Sequence, residues 1–291
     1  MKKMSLILLS ALFLISGNLF AQIVDDNDSN EEFDQFYERP IVNKAKKPFV
    51  YPYVRAADVV WERVVWRVID FREKMNQVFY YPIEPEQARM NMFSMISSAA
   101  EQGLIKVYED DEFKREADWN VIREGAGSER QETVYDDPDL DGMQMSHDTT
   151  IRTDMAASEV KTLRIKERWF IDKQRSVRDV RIVGFTLIYN KLMGDGESGE
   201  YNAYPLGWVR FNDPEVRDLL ANTEVYNPLN DAERRTYDDV FQKRHFTSYV
   251  IRESNTYGRR IDQYLTGMDA LYESDRIEEL LFDMEQDMWE Y

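Results

Sequence analysis

The 291-residue sequence contains no cysteine. Disulfides, thiol nucleophiles and thiolate metal sites are excluded, so stability must come from core burial and contacts between subunits. The same count leaves no residue for a lipobox, and no direct membrane anchor is expected. Histidine is nearly as scarce: His147 and His245 are the only two. They stand far apart and neither has a second histidine at ligand spacing, which rules out an HExxH zinc site. No G-x-S-x-G context accompanies them, so the sequence offers no nucleophile elbow. Basic residues are in deficit, 37 against 55 acidic ones, for a net charge of -18. A nucleic-acid surface needs clustered Lys and Arg to neutralise phosphates, and an anionic lipid surface needs the same. Both partner classes are excluded on charge. Long apolar runs are missing as well. Residues 6–15, LILLSALFLI, are too short to span a bilayer. They follow Lys2 and Lys3 and precede Ala21, the pattern of an export signal over residues 1–21 with cleavage before Gln22.

What is present is a globular composition, 43% hydrophobic and 13% aromatic, in a chain long enough to bury a sizeable core. Residues 160–189 organise it. Leu163, Ile165, Trp169 and Ile171 share one parity, while Arg164, Lys166 and Arg168 take the other, so a strand with one apolar and one cationic face is expected. Residues 181–189, RIVGFTLIY, are almost continuously apolar and rich in β-formers, as in a central strand covered on both faces. The two are read as an antiparallel pair.

Around this pair the chain divides as follows. Residues 22–45 are an acidic arm, expected to be disordered. Residues 58–76 place Val60, Trp61, Val64, Val65, Val68, Phe71, Arg72 and Met75 at helical spacing, with Asp58 as N-cap. A second helix is expected over residues 84–102, with Pro85 in its first turn and Gly103 as its left-handed stop. A short strand follows over 104–108. Residues 110–158 are charged and weakly periodic, and an irregular insertion is expected there. A third strand over 204–211 leads to a short helix over 212–221, capped by Asp213 with Pro214 behind it. Another helix runs from Asn230 or Asp231 towards Phe246. Beyond Gly258 the chain reads as helical, broken at Gly267, with Ile277, Leu280, Leu281, Met284 and Met288 along one face. The fold class is α+β: a small antiparallel sheet packed with several helices, a long irregular acidic insertion and a helical C-terminus. Residues 46–291 form a single domain.

One stretch carries metal chemistry on its face. Asp137, Asp139 and Asp141 ahead of Gly142 match the opening D-x-D-x-D-G of a calcium loop. Alternate carboxylates can converge on one hard cation, although Asp148 at the twelfth position is short for bidentate closure and no EF-hand helix flanks the loop. An acidic solvated loop is the competing reading. Asp148-Thr149-Thr150 resembles a bacterial O-glycosylation sequon, with Thr149 as acceptor. No catalytic constellation is found, and no cofactor other than calcium is expected.

Several long blocks resemble the GldN/PorN family. They are YPYVRAADVVWERVVWRVIDFREKMN at 51–76, RIKERWFIDKQRSVRDVRIVG at 164–184 and EVYNPLNDAERRTYDDVFQKRHFTSYVIRESNTYGRRIDQY at 224–264. ALYESDRIEELLFDMEQDMWEY at 270–291 completes them. The resemblance implies a periplasmic core component of the type IX secretion and gliding machinery of Bacteroidetes. It implies a non-enzymatic, self-associating ring subunit that partners an outer-membrane lipoprotein and meets inner-membrane-anchored motor components. The family supplies no catalytic residues to carry over. The reading from the residues alone leaves a second class open: a free periplasmic calcium-dependent binding protein or an unrecognised hydrolase.

Overall fold

The computed structural model describes residues 46–85, 89–135, 146–153, 155–192, 201–227, 230 and 233–287. At its centre lie β5 (Val160–Asp172) and β6 (Val177–Leu192), joined by a four-residue turn, 173–176. β5 obeys its period of two over 162–169: Leu163, Ile165, Glu167 and Trp169 are buried, while Arg164 and Lys166 are half-buried and Arg168 is exposed. β6 is buried continuously from Gly184 to Tyr189, as its unbroken apolar run requires. On one side β6 pairs with β7 (Tyr201–Arg210), and β7 with the two-residue β2 (Val107–Tyr108).

On its other side β5 pairs with β1 (Val59–Asp70), and β1 with β8 (Tyr249–Glu253). The order β2-β7-β6-β5-β1-β8 makes a six-stranded sheet whose paired neighbours are all antiparallel. This corrects the helix expected over 58–76. Because β1 is packed on both faces, with Val65 and Ile69 in the two cores and Trp66 beneath Asp111, apolar residues occupy both parities: Val64, Trp66 and Val68 on one, Trp61, Val65 and Ile69 on the other. A strand filled on both faces loses its alternation and matches a helical template by chance. Its five valines and two tryptophans were the better guide.

Helices cover one face of the sheet. α1 (Met92–Glu101) begins about two turns later than expected, because Asn91, not a residue near Pro85, caps it by accepting the Ser94 N–H at 2.7 Å. Gly103 does end it, at φ +68°. α2 (Trp119–Ala126) and the hairpin of β3 (Ser128–Tyr135) with β4 (Ser146–Thr153) correct the irregular insertion. That hairpin forms a separate two-stranded sheet. α3 (Pro214–Asn222) starts behind Asp213 as expected. α4 (Tyr237–Gln242) is shorter than expected, because a capping box of Thr236 and Asp239 sets its start. α5 (Met268–Asp287) follows Gly267, itself at φ +62°.

The main core joins Leu163, Ile165, Phe185 and Leu187 of the sheet to Phe79, Met92, Leu220, Tyr237 and Phe241. Phe241 is its hub, within 5.5–6.2 Å of the rings of Phe79, Phe185, Phe211 and Phe246. A smaller core buries Ile277 and Leu281 of α5 against Val65, Trp169, Val250 and Ile261. The C-terminal stripe is thus partly covered within the fold.

Residues 46–53 have no regular structure yet are pinned along α3 and α4. Lys46 pairs with Asp239, and the Phe49 N–H donates to Asp238 at 3.1 Å. Arg217 donates to the Phe49 carbonyl at 2.5 Å, and Gln242 to the Tyr51 hydroxyl at 2.8 Å. Arg181 of β6 then holds the Pro52 carbonyl at 2.6 Å.

Candidate interaction surfaces

The two faces of β5 handle charge in opposite ways. Glu167 lies on the apolar parity, among Leu163, Ile165 and Trp169, and its accessibility is 0%. A carboxylate there needs paired charge and satisfied lone pairs. Arg244 supplies both: Nη1 reaches Oε1 at 2.7 Å and Nη2 reaches Oε2 at 3.2 Å. The Trp169 indole N–H donates to Oε2 at 3.0 Å. Arg244 sits just past α4 at φ +52°, where a glycine is usual. The His245 N–H closes back on the Val240 carbonyl at 2.9 Å, and this turn aims the guanidinium into the sheet. The pair lies between the two cores, since Ile165 belongs to the larger and Trp169 to the smaller.

The cationic face is covered in part by residues 109–117. Asp111 accepts from the Trp66 indole at 2.9 Å and lies 3.3 Å from Lys166, whose ammonium also donates to the Asp111 carbonyl at 2.7 Å. Phe113, at φ +57°, lays its ring over Gly184. A Cβ on Gly184 would come within 2.4 Å of that ring and 2.7 Å of the Val209 carbonyl, so only glycine admits the loop here. Arg168 pairs across strands with Glu62 at 3.2 Å, more exposed than Lys166. Two of the three cations singled out in the sequence are therefore satisfied internally. Arg164 is not.

A cleft of 320 Å³ opens between the end of α1 and β2. Its rim charges neutralise one another, Lys106 with Glu116 at 2.6 Å and Glu101 with Arg123 at 3.2 Å. Among the described residues no three His, Cys, Asp or Glu groups gather to hold a metal. The calcium-loop candidates Asp137, Asp139 and Asp141 lie outside the described residues. Thr149 and His147 fall in β4, and His245 is exposed beyond α4. His147 belongs to the separate β3-β4 sheet, whereas His245 lies outside any strand or helix. Sequence reasoning missed Glu167, Arg244 and Asp111. Only Glu167 carried a signal, a lone acid on an apolar parity.

Among the described residues no helix is long and apolar enough to cross a membrane. Comparison with curated proteins gives no match. The family described as gliding motility associated protein GldN matches residues 54–290, which takes in the eight strands and five α-helices of the described residues. The chain belongs to the GldN family, a structural component of the gliding-motility and type IX secretion apparatus.

Proposed function

We propose that the chain is a non-enzymatic structural subunit of the periplasmic ring of this apparatus, bound to an outer-membrane lipoprotein and meeting the inner-membrane-anchored motor components. The observation that carries the reading is the family match over residues 54–290. The periplasmic placement rests on the export pattern of residues 1–21, and association with the outer membrane follows through the lipoprotein. Calcium at Asp137, Asp139 and Asp141 is retained as a weak local site, to be tested by calorimetry at millimolar calcium with Asp139→Asn as control.

The test of function is gel filtration of the exported chain with and without the lipoprotein. Co-elution in an assembly far larger than one copy of each is expected, along with loss of secretion when the chain is deleted. A chain that stays monomeric beside the lipoprotein, in cells that still secrete without it, would overturn the reading.

A further inference from the structure

The cover over the cationic face stops halfway. Trp66 is the cross-strand neighbour of Lys166 on one side and of Arg252 on the other. Val68 likewise separates Arg164 from Tyr249. On the Lys166 side, Asp111 answers both the ammonium and the indole N–H. On the β8 side no carboxylate does the same. Arg252 stacks on the Trp66 ring, 4.1 Å from its centroid. Arg260 comes close enough to Arg164 for the two charges to repel, and burial together with that repulsion outweighs the weaker attraction of Tyr249 and Asp262 and holds the Arg164 guanidinium below its ordinary value.

Each of Arg164, Arg252 and Arg260 has its Nε buried without an acceptor. Arg260 has a carboxylate at its other end, Asp262 at 2.6 Å. Arg164 and Arg252 make no ion pair among the described residues. Arg164 and Arg260 are neighbours, and Arg252 stands on the same face across β1, one row along; unmet guanidinium donors on one face are costly unless planar acceptors complete them. Asp111, one row away, shows which acceptor this face takes: a carboxylate delivered by an overlying segment.

The chain carries such a segment. Asp25, Asp26, Asp28, Glu31, Glu32 and Asp34 make six of ten residues acidic, close upstream of Lys46, where the described chain begins. The twelve residues from 34 to 46 reach up to about 40 Å when extended, comparable to the length of a twelve-residue strand such as β1. We propose that Arg164, Arg252 and Arg260 form a binding site for the carboxylates of an acidic peptide segment, and that its occupant is residues 25–34 of the same chain.

The experiment compares the intact chain with a full-length variant in which those six acids are changed to Asn or Gln. Phenylglyoxal modification is followed at each arginine by mass spectrometry, with exposed Arg55 as internal standard. Arg164 and Arg252 should react severalfold faster in the variant relative to Arg55, and high salt should bring the intact chain to the same rate. A free peptide of residues 22–38, added to the variant, should restore protection. Equal rates in the two chains would overturn the proposal, as would a peptide that protects nothing. Protection that fades on dilution would overturn the intramolecular assignment and give the site to a second copy.

Discussion

Lys166 and Glu167 are consecutive residues of β5 with opposite charges on opposite faces. Lys166 meets Asp111 at a partly accessible contact between loop and strand. Glu167 meets Arg244 with no solvent at the carboxylate. The first pair fastens a loop onto a sheet that is already formed. The second is built between two cores, and removing Arg244 strands a carboxylate with nothing to solvate it, whereas the Arg244 side chain is 34% exposed and still reaches water.

The largest expected effect breaks the second pair. Arg244→Met leaves the Glu167 carboxylate buried and uncompensated, and should cost about 3–5 kcal/mol in urea unfolding. Adding Glu167→Met should recover much of that loss, since two apolar groups of similar volume need no partner. A double variant as unstable as the single one would mean that Arg244 matters through its turn at φ +52° and not through the ion pair.

Reversing the first pair is milder. Lys166→Glu sets a carboxylate against Asp111 and removes the cation from the Trp66 ring, 5.3 Å away. A loss of about 1–2 kcal/mol is expected, scaled to one partly buried charged hydrogen bond. Thermal melting should register it before assembly with partners changes. An unchanged melting temperature would detach residues 109–117 from any role in stability.

The smallest effect concerns the strap at residues 46–53 and depends on pH. Burial works against the Asp239 carboxylate, but hydrogen bonds from Lys46 and Thr236 outweigh it and hold its pKa below the ordinary aspartate value. A depressed folded-state pKa means stability that is present above the unfolded value, near ~3.9, and is lost as pH falls through the folded one. Lys46→Gln should therefore cost about 0.5–1 kcal/mol at neutral pH, the range of a partly exposed pair. The difference from the unaltered chain should vanish in acid. A difference that persists below that window would mean that Lys46 acts through the Thr236 hydroxyl, 3.1 Å away, and not through the Asp239 charge.

What was legible in the sequence follows the same division between faces. β5 has one apolar and one charged face, and its alternation over 163–171 gave the strand and its side-chain directions, although β6 begins at Val177, inside the polar stretch 172–179 that reads as a connection. β6 was legible from its unbroken apolar run. β1 was misread because Trp66 and Val68 on one face and Val65 and Ile69 on the other erase the alternation. α2 was missed although Asp118, Trp119 and Ile122 lie at cap, first and fourth positions, since the charged residues around them mask so short a stripe. The contact of Arg244 with Glu167 spans 77 residues, and no local pattern encodes a partner at that separation. Asp111 was equally hidden, one acid in a run of acids until the loop places it over Trp66.

The strap has a mechanical consequence. Tension applied to the chain upstream of Lys46 meets the Lys46–Asp239 contact first, then the hydrogen bonds at Phe49, then the Tyr51 ring beneath Arg217 and Arg181. These contacts are loaded in series, so the segment peels before any strand of the central sheet is strained. Tyr51 and Pro52 end that peel at Arg181, on the strand that pairs with β5. Residues 46–53 thus act as a short tether that yields at low force and protects the six-stranded sheet from a pull along the arm.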